Sequence, residues 1–392
     1  MLRTVELVYF NAGGGHRAAA QALEQVIREQ GRPWQVRSVN VMEVLDPQGQ
    51  FRRFTGMAPE DLYNLRLKKG WTLGLAQELK LFQASLRLAH PLLVERLRPH
   101  WAAGEPDLVV SLIPNMNRAL YESLASVLPG VPYVTVLTDL ADHPPNFWIE
   151  PAQRQHFVCG TERAMQQALE QGCESWQLHR TSGMILRPDF YQPQVLDRAA
   201  ERQALGLDPN RPTGLVLFGG HGSAAMVDIA RDLHDVQLVL LCGHNAGLAR
   251  RLRRLPAGAA PRAVVEFTPH VRRYMQLADF FIGKPGPGSL SEAVQQGLPI
   301  VTVRNAWTMP QERYNTEWVR EQNLGIVGRS MTRLREPVLQ LLDRLDEFKA
   351  NVRKVDNRAV FEVPAILERI LTESLHPAAP PAALSPASRP TP

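Results

Sequence analysis

Short runs of apolar residues alternate along this chain with longer stretches in which apolar residues recur every three or four positions. The short runs are typical of buried strands, and the longer pattern is typical of amphipathic helices. The sequence predicts strands in two groups: 5–10, 34–41, 108–113, 133–138 and 156–159, and then 215–218, 237–242, 264–267, 280–282 and 300–303.

Helical patterns separate many of these strands. The predicted helices are 16–29, 116–127, 223–233, 246–255, 271–277, 290–296 and 314–322. Regular strand–helix alternation indicates a parallel sheet with helices on both faces. Because the alternation occurs twice, the sequence predicts an α/β fold with two doubly wound, Rossmann-like domains.

A polar, proline-rich stretch at 187–211 separates the two groups of strands. We therefore predict an N-terminal domain over 1–186, a linker over 187–211 and a C-terminal domain over 212–345. Residues 346–375 are predicted to be helical, with Pro364 in the first turn of a last helix. The final segment, 376–392, holds six prolines in 17 residues and is expected to be disordered.

Composition narrows the class of protein. Of 392 residues, 44% are hydrophobic and 21% are charged, which is enough apolar material for two cores. Three cysteines without C-x-x-C spacing argue against a disulfide framework or structural zinc. The N-terminal residues lack a signal-peptide pattern, and no run of about 18 apolar residues occurs. These features predict a cytoplasmic protein.

Positive charge is concentrated in one segment. Residues 52–98 carry nine Lys or Arg against four acids, a net +5 that equals the charge of the whole chain. The same segment has an apolar stripe at helical spacing, and Pro91 is expected to kink or split that helix. The stripe indicates either an ordinary core-facing helix or a surface that lies on anionic lipid. Its members are Leu75, Leu79, Phe82, Leu86, Ala89, Leu93 and Leu97.

Candidate chemistry in the first domain follows two strands, because ligands of parallel sheets bind at the carboxyl ends of strands. The loop 11–17 contains three glycines and His16, at the start of a helix. The positive end of a helix disfavours imidazolium, so His16 is a candidate general base, with an exposed surface histidine as the alternative. Asp139 follows another strand and is a second candidate, although aspartate also caps turns.

Candidate anion sites in the second domain lie in two glycine-rich loops. The first, 218–223, includes Gly220; the second, 283–293, combines glycines, Lys284 and a helix start. Bare backbone N–H groups, a helix dipole and a cation are the groups that bind a diphosphate. Glu292 could accept hydrogen bonds from ribose hydroxyls, or only complement the helix dipole. Polar residues at 308–315 follow another strand and could bind sugar hydroxyls or only start a helix.

The glycine-rich segments 11–18 and 284–293, followed by Gly297-Leu298-Pro299 and then Gln311, Glu312 and Asn315, resemble the monogalactosyldiacylglycerol synthase family. A wider group, similar in fold, includes the glycosyltransferase that makes lipid II. The resemblance covers roughly residues 5–375. It implies a GT-B glycosyltransferase with two Rossmann-like domains facing across a cleft, peripheral on the inner face of the cell membrane through residues 52–98.

The resemblance also implies roles for individual residues. His16 and Asp139 would be catalytic, and the acceptor side would include Gly13, Gly14, Gly15 and His143. A UDP-sugar would serve as co-substrate, with no cofactor, no catalytic metal and no nucleic-acid partner. The donor would contact Gly220, Phe267, Thr268, Lys284, Gly286, Pro287, Gly288, Ser289, Glu292, Gln311, Glu312 and Asn315.

The expected reaction is an inverting transfer of galactose or glucose from the UDP-sugar to a lipid, diacylglycerol above all, giving a β-glycolipid. This sequence departs from the plant-type pattern of the family at Asn11-Ala12, before the first glycines, and at 305–307, before Gln311. These departures leave the identities of the sugar and the acceptor open. Other acceptors, a UDP-sugar 2-epimerase and a non-catalytic lipid- or nucleotide-binding protein are the alternatives. An oxidoreductase is disfavoured because the second strand ends in Val39-Asn40-Val41, without an acid for a cofactor ribose.

Overall fold

A computed structural model describes residues 2–11, 14–49, 75–193 and 196–375. Three parts of the chain named in the predictions lie outside the described residues: Gly13, residues 52–74 of the basic segment, and the tail 376–392. Within them the chain forms two parallel sheets of six strands each, with helices packed against them.

The N-terminal sheet has the strand order β2-β1-β3-β4-β5-β6. Its strands are β1 (Arg3–Tyr9), β2 (Trp34–Asn40), β3 (Leu108–Ser111), β4 (Tyr133–Val136), β5 (His156–Cys159) and β6 (Leu178–Arg180). Its helices are α1 (Gly15–Glu29), α2 (Val41–Leu45), α3 (Leu75–Gly104), α4 (Asn117–Val127) and α5 (Glu162–Glu170).

The C-terminal sheet has the order β12-β11-β10-β7-β8-β9. Its strands are β7 (Thr213–Leu217), β8 (Gln237–Leu241), β9 (Arg262–Val265), β10 (Phe280–Gly283), β11 (Ile300–Val303) and β12 (Gly325–Gly328). The remaining helices are α6 (Arg198–Ala204), α7 (Ala225–Asp232), α8 (Ala246–Arg253), α9 (Val271–Leu277), α10 (Pro287–Gln295), α11 (Arg313–Glu321), α12 (Arg335–Asp343), α13 (Leu345–Val352) and α14 (Ala359–Leu375).

Continuous apolar sequence explains the position of the central strands. Every residue of β3, β4, β7, β8, β10 and β11 is buried. Helices therefore cover both faces of each sheet, which is the arrangement that parallel strands require. One core lies on each face of each sheet, and the predicted doubly wound α/β architecture is confirmed.

Strands β6 and β12 were not predicted from the sequence. Leu-His-Arg and Gly-Ile-Val-Gly are short and lack an apolar run, but each pairs with a buried neighbouring strand. The stretch 187–211 also holds more structure than a linker suggests: a 3₁₀ turn at Pro188–Tyr191 and the helix α6.

Asp279, which directly precedes β10, ties α6 and α13 to the second domain. It accepts hydrogen bonds from Arg198 at 2.8 Å, Arg202 at 2.6 Å and Lys349 at 2.9 Å. Burial alone would raise the pKa of Asp279, but these donors and the Thr213 backbone hold it well below its ordinary value. The cationic residues of α6 are therefore part of the C-terminal domain's packing.

The last helix crosses back to the N-terminal domain. α14 contributes Val360, Val363, Leu367 and Ile370 to the core that also contains α1. The predicted helical stretch 346–375 is therefore divided between the two domains at residues 353–358. Pro364 is the sixth residue of α14, not a first-turn residue as predicted, because the helix already begins at Ala359.

The structure decides between alternatives that the sequence left open for α3. The helix continues through Pro91 and Pro99, so of the two effects predicted for Pro91, a kink or a split, the split does not occur. Three residues of the predicted apolar stripe face the protein: Leu79 and Leu93 pack against two cores, and Leu97 is buried. A second apolar set points outward instead, and consists of Leu81, Phe82, Leu88 and Leu92, exposed by 70, 50, 85 and 52%. Phe82 belongs to the predicted stripe but lies on this outer face.

None of the helices in the described part of the chain is both long enough and apolar enough to span a bilayer.

Candidate active site

Both glycine-rich regions lie where strand order reverses. In the N-terminal sheet β1 lies between β2 and β3, and in the C-terminal sheet β7 lies between β8 and β10. The connections that follow two adjacent central strands run to opposite sides of the sheet. A crevice therefore opens between them at the carboxyl ends of these strands. The loops after β1 and β3 and those after β7 and β10 border these crevices.

His16 lies in the first turn of α1, beside the crevice of the N-terminal domain. Its Nδ1 is 3.1 Å from Thr138 Oγ1, and its ring centroid is 6.0 Å from that of Trp148. Burial lowers the pKa of His16 to about 4, opposed by a hydrogen bond with the Leu112 backbone. The imidazole is therefore neutral at physiological pH, the form that can accept a proton.

Asp139 is buried beside Thr138, after β4. Its Oδ2 accepts a hydrogen bond from Trp148 Nε1 at 2.9 Å. Burial raises the pKa of Asp139 to about 7, and the bond from Trp148 opposes that rise. Thr138, not Asp139, is the side-chain partner of His16, so the structure brings the two predicted catalytic residues together through Thr138 and Trp148.

Trp148 was not identified from the sequence, and its position depends on Asp142. The carboxylate of Asp142 accepts backbone hydrogen bonds from Asn146, Phe147 and Trp148 at 2.6–3.1 Å. Asp142 thus holds the turn that presents Trp148, the structural role that aspartate often has in loops. His143, in the same turn, is half-buried, and burial lowers its pKa.

The loop after β10 is built for close backbone approach. Gly286 is the N-cap of α10 and Pro287 its first residue. A Cβ at Gly286 would lie 3.3 Å from Ser289 Oγ, whereas one at Gly288 would meet nothing within 4 Å. The space beside Gly288 is open at a helix N-terminus, where backbone N–H groups and the dipole favour an anion.

Lys284 and Glu312 form an ion pair at this loop. Lys284 Nζ lies 3.1 Å from Glu312 Oε1, and Glu312 is buried. Both side chains also act across the domains: the charge of Glu312 raises the pKa of Asp139 and that of Lys284 lowers it. The loop after β4, the loop after β10 and the 3₁₀ turn Pro310–Glu312 therefore face one another.

Direct packing supports this closeness of the two domains. Leu140 and Ala141, next to Asp139, share a buried cluster with Tyr314 of α11. The charges of Arg304 and Glu317 in the C-terminal domain also act on His143. Asp139 is thus close to Lys284 and Glu312 of the other domain, and His143 to Arg304 and Glu317.

Asn315 lies behind the glycine-rich loop that follows β10. It is fully buried, and its Nδ2 donates to the Pro285 carbonyl at 2.7 Å. Asn315 therefore fixes the glycine-rich loop from behind. Gln311 is partly exposed, with its Nε2 3.7 Å from Met309 Sδ.

Glu292 lies in α10, near the first linker residues. Burial raises its pKa to about 7, while Arg187 lowers it and Asp189 raises it. A carboxyl group that is half ionised near neutral pH can accept or donate a hydrogen bond.

The remaining predicted donor residues follow β7 and β9. Gly220 lies in the loop after β7, where a Cβ would meet nothing within 4 Å. Phe267 is 55% exposed, and Thr268 Oγ1 accepts from the His270 backbone at 3.0 Å. Phe267 stacks on His244, a residue that the sequence pattern did not single out.

Two family models match successive parts of the chain. Residues 16–182 match monogalactosyldiacylglycerol (MGDG) synthase, and residues 215–370 match the glycosyltransferase family 28 C-terminal domain. The first model covers β2 to β6 of the N-terminal sheet, and the second covers the C-terminal sheet from residue 215 in β7 onward.

Plant relatives match across both domains. The chain is 28% identical over 367 residues to a probable monogalactosyldiacylglycerol synthase of Nicotiana tabacum, covering 88% of this chain and 66% of that protein. It is 29% identical over 349 residues to a probable monogalactosyldiacylglycerol synthase 2 of Oryza sativa, covering 83% and 71%. The chain thus spans about two thirds of the length of these relatives.

Solved structures give the fold. The chain is similar to MurG of Acinetobacter baumannii, with a TM-score of 0.61 at 14% identity, over 94% of this chain and 99% of that one. It is also similar to the glycosyltransferase SnogD of Streptomyces nogalater, with a TM-score of 0.58 at 17% identity, over 95% and 100%.

Two facing Rossmann-like domains, with a glycine-rich loop and helix N-terminus in the second, indicate a glycosyltransferase of the GT-B fold, as predicted. The predicted resemblance is confirmed as well. Within that class, the chain is similar to the monogalactosyldiacylglycerol synthase family, whose model matches residues 16–182.

Proposed function

We propose that this protein transfers galactose or glucose from a UDP-sugar to diacylglycerol with inversion, forming a β-glycolipid. The observation that carries the proposal is a half-buried His16 of lowered pKa at the crevice of one domain, with the glycine-rich loop and Lys284 at the crevice of the other. A base and a leaving-group site on opposite sides of a cleft suit a single displacement. The names of the plant relatives support diacylglycerol as acceptor and galactose as the sugar.

The leaving group would be the diphosphate. In our proposal it lies at the N-terminus of α10, beside Gly288 and Ser289, where backbone N–H groups and the helix dipole stabilise negative charge. Lys284 would add a cation there, held in place by its ion pair with Glu312 at 3.1 Å. These groups would replace the charge that a metal ion supplies in other transferases, so we propose that the reaction needs no metal.

The chemical step balances without another reactant. The acceptor hydroxyl oxygen attacks the anomeric carbon from the face opposite the diphosphate, and a new C–O bond forms. The bond from the anomeric carbon to the diphosphate oxygen breaks, and its electron pair leaves with UDP. The hydroxyl proton passes to the imidazole of His16. Ionised Asp139, near by, would stabilise the imidazolium that results.

The outer face of α3 would hold the protein at a lipid surface. Leu81, Leu88 and Leu92 lie on one side of the helix, and Lys80 and Arg87 are exposed beside them. Apolar residues that enter the acyl boundary, flanked by cations, are typical of helices that lie on anionic membranes. We therefore propose peripheral attachment to the inner face of the cell membrane.

A cavity borders this helix. About 240 Å³ lies between α3 and α4, lined among others by Leu86 and Arg87 of α3 and by Asn115, which follows β3. Leu112, at the end of the same strand, is the backbone partner of His16. A lipid headgroup that enters beside α3 would approach His16 along this side.

The test is UDP release from UDP-galactose and UDP-glucose, with and without diacylglycerol in anionic vesicles, repeated with EDTA. The proposal predicts release that depends on diacylglycerol, persists in EDTA and is accompanied by a new glycolipid. Release that requires added metal would contradict the metal-free mechanism. Conversion of the donor without any acceptor would replace the transferase by an epimerase.

A further inference from the structure

An exposed tryptophan lies in the turn after β11. The Trp307 side chain is 53% exposed. Its turn is fixed by hydrogen bonds: the Trp307 N–H donates to Asn305 Oδ1 at 2.9 Å, and the Asn305 N–H donates to Thr308 Oγ1 at 3.0 Å. Asn305 Nδ2 also donates to the Arg329 carbonyl at 3.3 Å, which joins the turn to the end of β12. The backbone thus holds Trp307 at the surface in a defined turn.

Positive charge surrounds this turn. Residues 304–335 contain six Arg and only three Glu. Two of these glutamates, Glu312 and Glu317, already form ion pairs. Arg313 and Arg329 are exposed, and neither forms an ion pair within the described part of the chain. The exposed ring is therefore accompanied by cations that no nearby carboxylate neutralises.

The Trp307 turn and the helix α3 approach the same loop from two sides. On the α3 side, Gln83 Nε2 donates to the Asn146 carbonyl at 3.5 Å. On the other side, the charges of Arg304 and Glu317 act on His143 of the same loop. The proposed lipid-facing helix and the Trp307 turn are thus neighbours of one loop at the cleft, one in each domain.

We propose that Trp307, Arg313 and Arg329 form a second membrane contact, in the C-terminal domain, that binds an anionic lipid surface. The inference rests on the proposed function, because it assumes an acceptor that lies in a membrane. A tryptophan ring has an apolar body and one N–H donor, which suits the boundary between headgroups and acyl chains. Each cation near an anionic surface adds a factor of about 5 in affinity. Contacts from both domains would hold the cleft against the bilayer that contains the acceptor.

The test measures sedimentation with phosphatidylglycerol vesicles for the wild type, Trp307→Ala and the double variant Arg313→Gln, Arg329→Gln. The proposal predicts at least about a 5-fold loss of vesicle affinity in each variant, because the first loses apolar burial and the second loses charge. With phosphatidylcholine vesicles, which carry no net charge, the arginine variant should bind as the wild type does.

Matched controls make the same chemical changes elsewhere on the surface. Trp176→Ala replaces a 44% exposed tryptophan of the N-terminal domain. Arg250→Gln with Arg254→Gln replaces exposed arginines of α8, next to β9 at the opposite edge of the C-terminal sheet from β12. Both controls should keep wild-type affinity for phosphatidylglycerol vesicles. Losses as large in the controls would overturn a contact specific to the Trp307 turn.

Two further readouts locate the ring. Lipids with brominated acyl chains quench the fluorescence of a tryptophan that enters the bilayer, so the quenching seen in the wild type should decrease in Trp307→Phe. With saturating vesicles, Trp307→Ala should keep the donor KM within about 2-fold of the wild type, because the ring contacts lipid and not the sugar.

The outcomes distinguish this inference from the proposed function. Unchanged vesicle affinity in Trp307→Ala, in an enzyme that still makes glycolipid, overturns the second contact alone. Equal quenching in the wild type and Trp307→Phe also overturns it, as does a raised donor KM in Trp307→Ala, since the ring would then face the donor. Failure of the wild type to bind phosphatidylglycerol vesicles overturns both the inference and the proposed attachment through α3.

Discussion

Replacing Asp139 by asparagine should stabilise the protein, and more so at higher pH. Burial holds the pKa of this carboxyl at about 7 in the folded state, against an ordinary value of 3.8. Unfolding therefore releases a proton over the pH range between those two values. For an acid whose folded pKa is raised, stability is greatest below the unfolded pKa and is lost as pH rises through the folded pKa.

The size of the effect follows from these two pKa values. The cost of burying the Asp139 carboxyl is about 2 kcal/mol at pH 5 and about 4 kcal/mol at pH 8. An asparagine side chain in its place would avoid that cost and could still accept the hydrogen bond from Trp148 Nε1. We therefore expect Asp139→Asn to gain stability at both pH values, and about 2 kcal/mol more at pH 8.

Urea unfolding of wild type and Asp139→Asn at pH 5 and pH 8 measures this difference. Asp228→Asn, which removes an exposed carboxyl paired with Arg231, is the matched control and should show little change. The same Asp139→Asn variant should lose activity, because the charge that stabilises the imidazolium of His16 is absent. A gain in stability that is equal at pH 5 and pH 8 would refute a folded-state pKa of about 7 for the Asp139 carboxyl.

Three further predictions concern the other parts of the site. His16→Ala should lower kcat about 10²–10⁴-fold with little change in donor KM, measured by initial rates, because the acceptor hydroxyl loses its base; near-wild-type turnover would contradict that role. Trp148→Phe removes the hydrogen bond that lowers the pKa of Asp139, so the rising limb of the pH–rate profile should move to higher pH. An unchanged rising limb would show that ionisation of Asp139 does not control the rate. The double change of Leu88 and Leu92 to serine should reduce sedimentation with anionic vesicles while UDP binding persists, whereas Leu169→Ser, an exposed leucine of α5, should not.

The fold could be predicted because buried parallel strands leave an unambiguous apolar pattern. Wholly buried strands such as β8 and β10 appear in the sequence almost as they are in the structure. The edge strands β6 and β12 do not, since they are held by pairing with a neighbour more than by their own apolar residues. Likewise, the return of α14 to the first domain depends on contacts between residues far apart in sequence.

The helix α3 shows the limit of periodicity. It carries apolar residues on more than one side, so spacing alone could not decide which set faces the core. The structure turns Leu93 and Leu97 inward and leaves Leu88 and Leu92 exposed. The membrane-facing residues that we propose are therefore mostly not those of the predicted stripe.

Within the site, strand ends and glycine-rich loops in the sequence predicted candidate residues. The sequence did not predict which side chains contact one another. His16 and Asp139 were accessible from the sequence because each closely follows a predicted strand. Trp148 was not, since a tryptophan outside any strand gives no sign that it donates to a buried carboxylate. His244 was missed for a similar reason: its stacking partner, Phe267, lies farther along the chain and at a different strand end.

The anomeric configuration of the product tests the central claim most directly. With α-linked UDP-galactose and diacylglycerol in vesicles, attack opposite the diphosphate predicts a β-galactosyl lipid, identified by the coupling of the anomeric proton in NMR. An α-linked lipid, or free hexose with no lipid product, would contradict a single displacement by an acceptor hydroxyl that His16 deprotonates.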